Sequence, residues 1–192
     1  DGDDVTALRI LLDMAERRQD WAEAVELLAR LVRSADAADK LAYAIREAQL
    51  LADGTGDIDQ AIERYQRILS EDDPETRYAL GAMSDLEMRR SNHTGAAEAL
   101  ERLLQLLDGD DKVEVARKLA QLYEGPLEDA EKAMGALDIV HAGDPTDLDA
   151  ISRLQRMAEK RQDWPRVASL LEQLIEVEGD GGRMRREFAF KP

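Results

Sequence analysis

The phrase RQDW occurs twice, at residues 18–21 and 161–164, and carries both tryptophans of the chain, Trp21 and Trp164, 143 residues apart. Around it stand the related stretches RRQDWAEAVELLARLV and KRQDWPRVASLLEQLI. A chain that restates itself is built from a repeated unit, and the unit's period restricts the folds open to it. Three further segments fill the gap, led by Asp57 in DIDQAIERYQRIL, Asn92 in NHTGAAEALERLL and Asp129 in DAEKAMGALDIV. The leading residues Asp20, Asp57, Asn92, Asp129 and Asp163 are spaced by 37, 35, 37 and 34 residues. Four residues after them stand Ala24, Ala61, Ala96, Ala133 and Val167; eight after, Leu28, Tyr65, Leu100, Leu137 and Leu171; eleven after, Leu31, Ile68, Leu103, Val140 and Leu174. Offsets of 4, 8 and 11 share one face of a 3.6-residue helix, so each segment is an amphipathic helix held in phase with the others.

The leading Asp or Asn is expected to cap its helix by accepting from first-turn N–H groups, with Glu23 and Gln60 placed to complete capping boxes. Pro165 falls in the first turn, where a missing N–H is tolerated. A second helical stretch precedes each capped one, as in DVTALRILLDMAERR before Asp20 and DLDAISRLQRMAEKR before Asp163, which match at Ala7/Ala150, Leu11/Leu154 and Met14/Met157. Each unit therefore reads as helix A, a tight turn and helix B, then a loop rich in Asp, Gly or Pro. Units two to four are expected to carry one to three extra residues near their A–B turns. Trp21 and Trp164, at the start of helix B, read as staples that close the turn.

The chain resembles the tetratricopeptide repeat (TPR), whose period is 34 residues. Ala24, Ala61, Ala96 and Ala133 match the family's small position in helix B, and Pro74 and Pro145 its boundary proline. The local match is best in KLAQLYEGPLEDAEKA, with Leu119, Ala120 and Tyr123 at the large, small and aromatic places of helix A. Leu12 and Gln155 replace the small residue in other units, which marks a degenerate version of bacterial type. The resemblance implies an all-α, right-handed superhelical solenoid of about five antiparallel helix pairs. It covers residues 3–178, in units near 3–36, 37–73, 74–109, 110–144 and 145–178. Residues 179–192, with Gly181 and Gly182 ending the fifth unit, read as the start of a truncated sixth unit or a flexible tail. The tail's Arg183, Arg185, Arg186, Phe188 and Phe190 reverse the local charge.

The formal net charge is −16. So acidic a surface repels phosphate backbones, and nucleic acid is not an expected partner. No apolar run reaches the length of a membrane span, so no membrane insertion is expected. Without cysteine there is no disulfide framework and no thiolate zinc site. His93 and His141 stand alone, without paired metal-ligand spacing. DGTGDIDQAIER, from Asp53, places Ile58 and Arg64 where a calcium loop needs Gly and Glu. No catalytic, cofactor or metal site is expected, and the chain is read as non-enzymatic. A soluble protein is expected, cytoplasmic in preference to periplasmic, and a segment of a larger repeat protein.

The resemblance implies a concave face lined by helix A that holds a peptide or partner protein. The candidate contact residues, lying between the core positions of helix A, are Arg9, Asp13 and Arg17 in unit one, Arg117 and Gln121 in unit four, and Ser152 and Arg156 in unit five. Arg117 and Arg156 are suited to clamp a carboxylate. The alternative is a structural spacer or self-assembly element without a dedicated groove, associating through the ends of the array.

Overall fold

The computed structural model describes residues 4–69 and 76–189, with side chains at all of these except residues 37, 38, 178 and 180–189. Among the described residues there are ten α-helices and no strand. They are α1 (Val5–Arg17), α2 (Trp21–Ser34), α3 (Ala37–Leu50), α4 (Ile58–Leu69), α5 (Thr76–Arg89), α6 (His93–Leu104), α7 (Gly109–Glu124), α8 (Ala130–Gly143), α9 (Leu148–Lys160) and α10 (Trp164–Ala189). The odd-numbered helices are the A helices and the even-numbered ones the B helices. The chain divides into two compact units, Asp1–Leu103 and Leu104–Pro192. The first carries the hairpins α1/α2, α3/α4 and α5/α6, the second α7/α8 and α9/α10. No helix among the described residues is long and apolar enough to cross a membrane. Pro74 and the side chains of the basic, aromatic tail lie outside the described residues.

All five A–B turns use one device. The residue before each cap (Gln19, Gly56, Ser91, Glu128 or Gln162) holds a positive φ of 51–75°. This left-handed step reverses the chain, and the cap's N–H then returns to a carbonyl of helix A. Asp20 donates to Ala15, Asn92 to Glu87 and Asp163 to Ala158, the six-to-one closure of a Schellman motif. Asp57 donates to Leu51 and Asp129 to Tyr123, one residue further back. The side chain of the same Asp or Asn accepts from the N–H three residues on: Glu23 at 3.2 Å, Gln60 at 3.0 Å, Gly95 at 3.2 Å, Lys132 at 3.0 Å and Arg166 at 3.3 Å. One residue thus closes helix A and opens helix B.

Three sequence expectations change here. The longer turns belong to units two and four only; unit three turns as units one and five do. In unit two the added length is a π-helical turn, Leu51–Thr55, which ends at Gly56. The capping boxes are half made, because the Glu23 carboxylate takes Arg18 and the Gln60 amide returns to the Asp57 carboxylate. Gly181 and Gly182 lie inside α10, which runs unbroken to Ala189.

The positions at offsets 4, 8 and 11 form the core of each hairpin. All are buried except Leu171 and Leu174, both in α10. Ala24, Ala61, Ala96 and Ala133 are each fully inaccessible, as a close helix crossing requires. Leu8, Leu12, Ala15, Ala24, Leu27, Leu28 and Leu31 make one cluster, against which Tyr43 and Leu50 of α3 pack. The next cluster joins α3 to α6 through Ala48, Ala61, Ile62, Tyr65, Met83, Leu86 and Ala99. Repeats therefore share their apolar faces with neighbours, the arrangement that stabilises helical arrays.

Candidate functional site

Helix A carries most of the polar contacts between successive repeats. In the first unit Arg46 of α3 donates twice to Glu16 of α1, at 2.8 and 2.7 Å. In the second unit Arg153 of α9 donates to Glu124 of α7, from Nη2 to Oε2 at 2.6 Å and from Nε to Oε1 at 3.3 Å. The two pairs occupy the same register: each Glu follows the residue whose carbonyl anchors its turn, and each Arg lies five residues before the next anchor. Bidentate pairs of this kind fix orientation as well as adding energy.

The sequence-derived contact residues fall into three groups. Some are engaged in holding repeats together. Arg9 is bound by Asp39 and by the Tyr43 hydroxyl, whose hydrogen bond holds the guanidinium charge still more firmly. Arg117 donates to Asp147, the cap of α9, and lies 3.6 Å from Glu114. Burial opposes the charge on Asp147, yet the Ala150 N–H and Arg117 outweigh it and hold its carboxyl below the usual range. Asp13 and Arg17 pair with each other at 2.9 Å on an exposed face. The remaining three, Gln121, Ser152 and Arg156, lie in the second unit. Gln121 is exposed, and the Ser152 carbonyl accepts from Arg156 Nε at 3.3 Å.

Arg156 opens onto a cleft of about 410 Å³ between the end of α7, the turn into α8, and α9. Its lining includes Tyr123, Glu124, Glu128, Arg153, Arg156, Met157 and Lys160, and does not include Arg117. Arg153 is the fixed floor: burial works against its charge, but Glu124 and Asp149 keep the guanidinium firmly protonated. The Tyr123 ring lies 5.1 Å from the Lys132 ammonium. Arg156 and Lys160, one helical turn apart, make no ion pair among the described residues. The two stand beside the apolar Met157, and Glu124 and Glu128 line the same cleft. The cleft brings Arg156 together with Lys160 and not with Arg117. The i,i+4 spacing of Arg156 and Lys160 is the sequence signal that places the two on one helix face.

The other dense charge site is structural. Glu47 of α3 is 2 % exposed and lies 2.9 Å from Arg64 Nε of α4. Burial pushes its pKa up, against the pull of Arg64. Its place in helix A, four residues before the turn's anchor carbonyl, is held by Leu11, Met83, Leu119 and Leu154 in the other units. Among the described residues no group of three His, Asp or Glu is placed to hold a metal ion.

No protein-family model and no curated protein matches the sequence. Solved structures do match. MamA is 15% identical over 95% of this chain and 96% of its own, with a TM-score of 0.55. MamA from Desulfovibrio magneticus RS-1 is 19% identical over 92% of this chain and 96% of its own, TM-score 0.53. A tetratricopeptide repeat protein from Parabacteroides merdae ATCC 43184 is 16% identical over 90% of this chain and 66% of its own, TM-score 0.56. The fold is that of a TPR-like helical repeat protein.

Proposed function

We propose that this TPR-like chain is a non-enzymatic scaffold that receives an acidic segment of a partner protein on the helix-A side of its second unit. The observation that carries the reading is the cleft at α7 and α9, where Arg156 and Lys160 make no ion pair among the described residues while Arg153 beside them is held by Glu124. Arg156 supplies a planar fork for a carboxylate, Lys160 a second charge, and Met157 an apolar contact for the neighbouring side chain.

The test is fluorescence anisotropy with a fluorescein-labelled Asp/Glu-rich peptide against the wild type and Arg156→Ala/Lys160→Ala. The double variant is expected to bind at least tenfold more weakly, and wild-type binding to weaken as salt is raised. Arg17→Ala, in the first unit, should leave affinity unchanged. Equal affinity of wild type and double variant, with helicity intact by circular dichroism, would falsify the assignment.

A further inference from the structure

The alignment that pairs Trp21 with Trp164 also pairs every residue of α1 with one of α9, and every residue of α2 with one of α10. The paired residues can be compared in place. In α9, Ala150 and Leu154 are buried and Met157 is half-buried, and α9 packs on α8. In α1 the same three positions, Ala7, Leu11 and Met14, are exposed, and Ile10 beside them is 59 % exposed. The B helices show the mirror case. Leu28 of α2 is fully buried, with Tyr43 and Leu50 of α3 packed on its cluster. Its counterpart Leu171 in α10 is 42 % exposed, and Ile175, the counterpart of half-buried Val32, is 71 % exposed.

Among the described residues two apolar stripes are therefore open. The α1 stripe repeats positions that are covered in α9, which has a repeat before it where α1 has none among the described residues. The α10 stripe repeats the position at which α2 meets the helix A after it. Each is the complement of the other, in a geometry this chain already uses at its α2/α3 and α8/α9 junctions.

We infer that the α10 face of one molecule docks on the α1 face of a second copy, continuing the repeat stacking from molecule to molecule. The contact is heterologous: two different surfaces meet, so each copy retains one open end and assembly does not stop at two. It is independent of the Arg156 cleft. Copies that each carry a formal charge of −16 repel, so the apolar contact strengthens as salt is raised.

Sedimentation velocity on the 192-residue chain, from micromolar to millimolar, provides the test. Wild type is expected to form species beyond the dimer that grow with concentration and with added salt. Leu11→Glu spoils the head and Leu171→Glu the tail, so each alone should sediment as a monomer. Mixed, they should give a one-to-one dimer and nothing larger, since one intact tail then meets one intact head. If either variant loses helicity, Ile10→Glu and Ile175→Glu, at the more exposed positions, take their places. A wild type that stays monomeric throughout overturns the inference. So does a mixture that forms no dimer, or a single variant that assembles as wild type does.

Discussion

Trp21 and Trp164 follow the same three residues, begin their helices behind the same capped turn, and end in different surroundings. Trp21 is half-buried, its Cγ only 2.9 Å from where a β-carbon on Gly54 would stand. Trp164 is 61 % exposed. The local phrase fixes the turn in both cases, whereas burial is conferred by the next repeat, whose π-helical turn lies over Trp21. A staple is thus completed by the neighbour and not by its own hairpin.

The sharpest way to break this comparison is to truncate the paired leucines. Leu28→Ala should cost about 2–5 kcal/mol, as expected for a fully buried leucine, and Leu171→Ala under about 1 kcal/mol, by urea denaturation. Equal losses would mean that α10 is covered in solution, as head-to-tail docking at high concentration requires; measuring both at low micromolar concentration separates the two cases.

Next in size is the substitution that makes unit two resemble the units of the second half. Glu47→Leu with Arg64→Met replaces a buried ion pair by apolar contacts and should stabilise by roughly 1–4 kcal/mol. The pH dependence carries its signature. Because the folded state raises the pKa of Glu47, this group favours folding below its ordinary value of 4.5, and that contribution fades as pH rises through the folded value. Asp147 has the opposite sign: its lowered pKa favours folding above 3.8 and the gain is lost as pH falls. The double variant should lose the first dependence and keep the second, read from thermal melts between pH 3 and 7.

Gly54→Ala pushes a methyl into Trp21 and should cost about 1–3 kcal/mol by overpacking. In a Trp164→Phe background it should shift Trp21 emission, while in a Trp21→Phe background the exposed Trp164 should be quenched freely by iodide and ignore the change. The smallest effect is the one on which both phrases should agree. Gln19→Gly and Gln162→Gly each relieve a left-handed residue and should stabilise by up to about 1 kcal/mol. A gain at only one of them would show that the turns are not equivalent.

The fold was open to sequence reasoning because its signals recur in phase: Ala24, Ala61, Ala96 and Ala133 would each be ambiguous alone. The turns were only half readable. Gln19, Ser91, Glu128 and Gln162 adopt a conformation that glycine favours, so their composition hides the device, and only Gly56 announces it. Gly181 and Gly182 misled in the reverse direction, since glycine weakens a helix by about 1 kcal/mol without supplying the turn that ends one. The site was less readable still. Arg117 is spent on Asp147, a contact spanning 30 residues that no local pattern displays. Glu16–Arg46 and Glu124–Arg153 become visible only when helix A is aligned on its turn anchors.

The double duty of Asp20, Asp57, Asn92, Asp129 and Asp163 has a dynamic consequence. With its N–H committed backwards and its side chain forwards, none of them can release one helix and retain the other. Amide exchange at the end of each A helix and the start of its B helix should proceed by one shared opening, so that protection is lost hairpin by hairpin. Proteases should accordingly cut between hairpins and spare the turns within them.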